Sequence, residues 1–206
     1  MWGIVEDNTI TKLINNPKGM VIGDVRYSRK IFELWSKAEL EAKGIYEVEY
    51  DNTNKKDEAW YINTNQSFAF AGGKITASYG TATAKAHTDV LFTAQDEIDG
   101  LIPDDKDVGD VKTEGLKTEL IRAVKAQAGG ELRRTDWYVV RKADAGTAVP
   151  SAITTHRAAV RTKCAEMETA ITNAADTPAL ETLYAHTRQE DGSVTRPLGQ
   201  IPTLES

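Results

Sequence analysis

Over the first eighty positions apolar and polar residues alternate in short runs, the period of strands with one wet face. Trp2 to Glu6 and Thr9 to Ile14 flank Asp7-Asn8, a pair that tolerates the left-handed backbone of a tight hairpin. Asn15, Asn16, Pro17 and Gly19 mark the next turn, and Met20 to Tyr27 makes a strand interrupted by a bulge or bend at Gly23. Ser36-Lys37-Ala38-Glu39 has the spacing of a capping box, with Leu40 as the apolar face and Gly44 placed to stop a short helix. Ile45 to Tyr50 alternates again, Asp51 to Asn54 turns the chain, and Ala59 to Asn63, Ser67 to Phe70 and Lys74 to Tyr79 continue as strands around Gly72-Gly73. The pattern predicts a small antiparallel β domain with one short helix over 1–80.

Beyond residue 111 the period lengthens. Leu116, Leu120, Ile121 and Val124 recur at three and four residues in Lys112 to Ala128, an amphipathic helix that Gly129-Gly130 is expected to end. Trp137 to Val140 is aromatic and β-branched, too brief for a helix of its own. Ile153, Val160, Cys164, Met167, Ile171 and Ala174 form one seam on a helix of about twenty residues, suited to antiparallel packing on the earlier one. Pro178 suits the first turn of a further helix, starting at Asp176 or Thr177. These elements predict an antiparallel helical hairpin or bundle over 111–190, and the whole chain reads as α+β. Prolines bar a helix from 191–206, so an extended C-terminal arm is expected there, with Leu198, Ile201 and Leu204 on one side.

Charge changes this picture in one place. The net charge is −6, yet residues 1–80 carry ten basic and eleven acidic residues and 111–206 carry thirteen and twelve. Residues 81–110 carry two and eight, so this stretch is expected to be an acidic linker or hinge. The acidic total argues against nucleic acid as a partner, and no apolar run is long enough to insert in a bilayer. Cys164 is the single cysteine, so no internal disulfide forms, and its place in the seam suits a small buried group.

The search for chemistry returns little. His87, His156 and His186 stand far apart with no zinc-ligand spacing, so no metal is expected. The Asp104 to Asp110 run lacks the terminal glutamate of a calcium loop, and the paired glycines form no phosphate-binding or dinucleotide fingerprint, so no cofactor is expected. No nucleophile elbow is present and no catalytic residue is assigned. Glu47, Glu49 and Asp51 share one strand face that suits a sugar-cleaving groove, although such carboxylates more often keep a strand wet. Trp35, Tyr46, Trp60, Tyr61, Phe68, Phe70 and Tyr79 form either a small core or a stacking platform.

Thr135-Asp136-Trp137, Pro150 a short distance on, and Arg157-Ala158-Ala159-Val160-Arg161 resemble the C-terminal segment of bacteriophage tail assembly chaperones and tail-fibre assembly proteins. The resemblance covers about residues 116 to 184, with His156 standing where many members have an aromatic. Met1 to Tyr79 also looks like the small β-rich head of phage tail proteins. The resemblance implies a non-enzymatic tail-fibre or baseplate component, an adaptor or an assembly factor, acting through protein contacts. It would be present in several copies or as a homo-oligomer, in the virion tail or in the host cytoplasm during assembly. Trp137 is then either an anchor between helices or a partner hot spot. Arg133, Arg134, Arg141, Lys142, Arg157 and Arg161 are expected to grip a carboxylate-bearing protein surface or to solvate the helices, and Leu198, Ile201 and Leu204 to dock in an apolar groove. Two other readings are a decoration or fibril protein whose β domain binds glycans and, more weakly, a tail-associated glycan hydrolase.

Overall fold

A computed structural model describes residues 1–204, so the last two residues of the expected arm, Glu205 and Ser206, lie outside the described residues. The fold is α+β, with strands in the N-terminal part and helices in the C-terminal part. Two compact units form, Met1–Thr83 and Ala84–Ser206.

The first unit contains β1 (Trp2–Glu6), β2 (Thr9–Ile14), β3 (Met20–Ile22), β4 (Val25–Tyr27), α1 (Ile31–Leu34), α2 (Lys37–Glu41), β5 (Ile45–Asp51), β6 (Tyr61–Ile62), β7 (Ser67–Ala71) and β8 (Lys74–Ser78). Asp7 and Asn8 both take positive φ in the β1–β2 turn, as the sequence predicts. Gly23 does the same between β3 and β4, so the expected single strand with a bend is instead a two-stranded hairpin. The Ser36–Glu39 capping box is formed, the Ser36 N–H donating to the Glu39 carboxylate at 2.7 Å and the Glu39 N–H to Ser36 Oγ at 3.3 Å.

Five strands make one sheet in the order β2-β1-β5-β8-β7. The expectation of a purely antiparallel sheet is corrected at its centre, where β5 and β8 run parallel with Val48 opposite Ile75. A long connection through β6 and the β7–β8 hairpin allows this pairing, which period-2 alternation cannot reveal. Ile45 on one face packs with Leu40 and Ile31, joined by Trp2, Tyr27, Phe32 and Trp35. Val48 on the other face packs with Ile75 and Ala77, ringed by Tyr46, Phe68 and Phe70. The edge strands β2 and β7 touch, so the sheet curls around this second cluster. Gly3 is required there, because a Cβ would lie 2.3 Å from Ile75 Cδ1. Trp60 and Tyr61 are buried as well, so most of the aromatics of this unit are core side chains.

β9 (Thr83–Ala84) falls on the boundary, and the second unit continues with β10 (Val90–Leu91), α3 (Ala94–Ile98), β11 (Val111–Thr113), α4 (Leu116–Arg133), α5 (Asp136–Ala145), α6 (Ser151–Asn173), α7 (Thr177–Tyr184), β12 (Thr187–Arg188) and β13 (Val194–Thr195). Helices α4 and α6 pack antiparallel: Lys117 Nζ donates to the Thr172 carbonyl at 2.8 Å, and Lys125 pairs with Glu168 at 3.1 Å. Val160, Met167 and Ile171 of the expected seam are fully buried, while Cys164 is half-buried and donates to Glu168 at 3.3 Å. Asp176 caps α7 through the Ala179 N–H at 2.8 Å, with Pro178 in the first turn.

Three expectations change in this unit. Helix α4 runs through Gly129-Gly130 to Arg133, because packing on α6 outweighs a helix cost of about 1 kcal/mol per glycine. Trp137 to Val140 is helical, with Asp136 in the first turn of α5 and Gly146 at φ 70° returning its N–H to the Lys142 carbonyl at 3.0 Å. The stretch 81–110, expected as a linker, belongs from residue 84 onward to the second unit. Two of the acids there hold amide protons instead of facing water: Asp89 accepts from the Gly115 N–H and the Thr118 hydroxyl, both at 2.7 Å, at the start of α4. Asp96 accepts from the Thr93 N–H at 2.9 Å and hydroxyl at 2.8 Å and from Lys112. The Thr177 hydroxyl donates to the Lys85 carbonyl at 2.7 Å, tying this segment to α7.

Met167→Asp is expected to lower stability by about 3 kcal/mol or more, through an unpaired buried charge, as read in chemical denaturation. The Lys112 ammonium, with the Thr93 N–H and hydroxyl, holds the Asp96 carboxyl down from its ordinary 3.8 to about 2. A depressed folded-state pKa contributes stability that is full above the unfolded value and fades as pH falls through the folded one. Asp96→Asn is therefore expected to melt below the parent at pH 7, with the gap closing between about pH 4 and pH 2.

Candidate functional site

Thr135, Asp136 and Arg157 converge on the corner between α4 and α5. Thr135 is buried and donates its hydroxyl to the Leu132 carbonyl at 3.0 Å. Arg157, nearly two turns into α6, donates through Nη1 to the Leu132 carbonyl and to Thr135 Oγ1, both at 2.7 Å, and pairs with Asp136 at 2.9 Å. A buried guanidinium thus satisfies carbonyls and a hydroxyl at the point where the first helix breaks. Beside it Glu131 accepts from Arg134 Nη1 and pairs with His156 Nε2, both at 3.0 Å, and takes the Leu204 N–H at 2.8 Å. The Leu204 N–H, Arg134 and His156 hold the Glu131 carboxyl below the usual carboxylate range against the opposing effect of burial.

This corner mounts α5, whose residues all remain at least partly in water. Helix α5 contributes no buried residue, and Trp137 (52% exposed) and Val140 (64%) face outward. The Arg141 guanidinium lies 4.5 Å from the Trp137 ring centroid and 5.6 Å from that of Tyr138. Its Nε is buried and makes no hydrogen bond. Neither does the Trp137 indole N–H among the described residues, so this side chain is not the anchor between helices that one expectation allowed.

The structure separates the residues that the sequence grouped. Trp137 and Arg141 share the α5 surface. Arg161 is exposed on α6 and makes one long bond to the Arg157 carbonyl at 3.4 Å. Arg157 is corrected from a surface group to an internal one, only 9% exposed. Leu198 is likewise buried at 2%, its N–H on the Leu183 carbonyl at 3.0 Å, and Ile201 and Leu204 are half-buried. The expected extended arm over 191–204 instead folds back on its own unit, starting with the β12–β13 hairpin around Gly192. The three-residue recurrence of Leu198, Ile201 and Leu204 is met by this internal packing. Elsewhere Glu49 pairs with Lys74 at 2.8 Å and Asp51 accepts from the Thr53 N–H at 2.9 Å, so these carboxylates serve the surface of β5 and the turn after it. Among the described residues no group of acids, cysteines and histidines forms a metal cage.

Sequence reasoning passed over Glu131 and Arg196. Glu131 and Arg134 line a cleft of about 510 Å³ with Arg196. The one available signal was Gly129-Gly130 inside an otherwise regular helical period. No family profile, curated protein or solved structure matches the chain.

Arg157→Met is expected to cost about 2–3 kcal/mol, because the Leu132 carbonyl and Thr135 lose a charged donor in a buried corner. Denaturant titration of the full chain measures this, and a loss below 1 kcal/mol would contradict the corner's role.

Proposed function

We propose that this chain is a non-enzymatic bacteriophage tail-associated protein, a tail-fibre or baseplate component or assembly factor, working in several copies by protein contact through α5. The observation that carries this reading is a helix fixed by a buried corner at one end while Trp137, Val139 and Val140 stay in water. With no fully buried residue, α5 adds little to the core of its unit and is well placed as a contact surface. The Thr135-Asp136-Trp137 and Arg157 residues that resemble tail assembly proteins are the residues that build and display this helix.

The occupant we assign is a tail-fibre or baseplate protein with an apolar slot for Trp137 and Val140 and a rim of carboxylates. Arg141 and Lys142 on α5 and Arg133 on the last turn of α4 supply the complementary charge. Arg141 already lies over Trp137, so a partner carboxylate meets a cation held in place.

Trp137→Ala is expected to weaken binding of the co-purifying tail protein by about 30-fold or more, as loss of a hot spot does, without lowering the melting temperature. Unchanged affinity would remove α5 from the interface. Mass spectrometry of purified particles distinguishes a resident part, present at stoichiometric level, from an assembly factor that departs.

A further inference from the structure

We propose that the cleft between α4 and the C-terminal segment binds a short acidic peptide segment of a partner protein, laid across the helix at Gly130. This site shares no side chain with the α5 surface and does not depend on what docks there. Gln127, Gly130, Glu131 and Arg134 of α4 form one wall, and His186 and Arg196 contribute to the other.

The charges in the cleft are unequal in what they have left to offer. Glu131 already faces three donors, the Leu204 N–H, Arg134 and His156, so its negative charge is compensated. Arg134 reaches Glu131 through Nη1 alone, and its side chain is 51% exposed. Arg196 gives Nε to the Gly199 carbonyl at 2.8 Å, with its guanidinium 5.0 Å from the Tyr184 ring centroid. The other guanidinium nitrogens of both, and the His186 ring, have no partner among the described residues. Forked donors without acceptors in a concave site select carboxylates.

Gly130 points to the shape of the ligand. A glycine inside a helix weakens it, and a reason is expected. Gly130 does not have the positive φ that would demand glycine, and an added Cβ would meet nothing within 4 Å. Neither the backbone nor internal packing explains it. Its open side lies in the cleft wall, where the missing side chain lets another backbone approach the helix. The stretch from Gln127 to Arg134 spans about 10 Å of helix, the length of about three residues of extended peptide. A single sulfate or phosphate would fill only a small part of it. No Phe, Tyr or Trp lines the cleft as a platform for successive bases, and the chain's net charge is −6, so a polypeptide is favoured over a nucleic acid.

The test is fluorescence anisotropy on the full chain with a labelled five-residue peptide carrying glutamates at its second and fourth positions. The controls are its glutamine counterpart and a ten-nucleotide oligothymidylate. Saturable binding of the glutamate peptide is expected, at least tenfold tighter than that of either control. Arg134→Gln and Gly130→Ala should each weaken it at least tenfold. Gly130→Ala should at the same time raise the melting temperature, which separates lost binding from lost folding. Equal binding of both peptides, tighter binding of the oligonucleotide, no saturable binding, or full binding by Gly130→Ala would each overturn the proposal.

Discussion

The second unit depends on one buried cation. Arg157 enters from α6 and takes up the Leu132 carbonyl, the Thr135 hydroxyl and the Asp136 carboxylate, groups separated from it by more than twenty residues of chain. Those acceptors sit where α4 ends, where the last carbonyls of any helix need partners. A hydrophobic residue in that place would leave the Leu132 carbonyl without its charged donor and Asp136 without its cation. The guanidinium therefore fixes two things at once, the direction in which α5 departs and the register of α6 against α4. A buried charge is a costly way to hold a corner, but it is a specific one, since its planar donors accept few alternative arrangements.

What the sequence made legible was local. Asp7-Asn8, the Ser36–Glu39 box and Asp176 before Pro178 each act within four residues, and each stands where the pattern put it. The parallel pairing of β5 with β8 was not legible, because alternation states which face a residue takes and not which strand lies beside it. Helix α5 was missed for a related reason. Trp137, Tyr138, Val139 and Val140 have high strand propensity, and the helix is decided by its ends, Asp136 and Gly146, and by the corner before it. Likewise the acids of 84–113 look solvated in a list of residues and are in part capping groups in space.

The candidate site shows the same division. Trp137 and Arg141 were each singled out from the sequence, but their contact was not legible, because a four-residue spacing brings side chains together only on the helix that was missed. Arg157 and Arg161 look alike in sequence, also four apart, yet one is buried and the other faces water. Only the arrival of the α4 carbonyl and Thr135 distinguishes them. The cleft at Gly130 was beyond sequence reasoning, since its walls come from segments some seventy residues apart.

The hydrogen bond from Thr177 to the Lys85 carbonyl sets an order of events during synthesis. The first unit is closed by residue 83 and has all its strands once that point has left the ribosome. The second is not, because the segment that opens it is held by α7, which emerges ninety-two residues later. At about 5–20 residues per second that interval lasts roughly 5–18 s, during which the Lys85 carbonyl stays in water although Ala86 and His87 can already meet the start of α4. A nascent chain of this protein thus passes through a state with one finished unit and one open helix, and the last forty residues decide when that state ends.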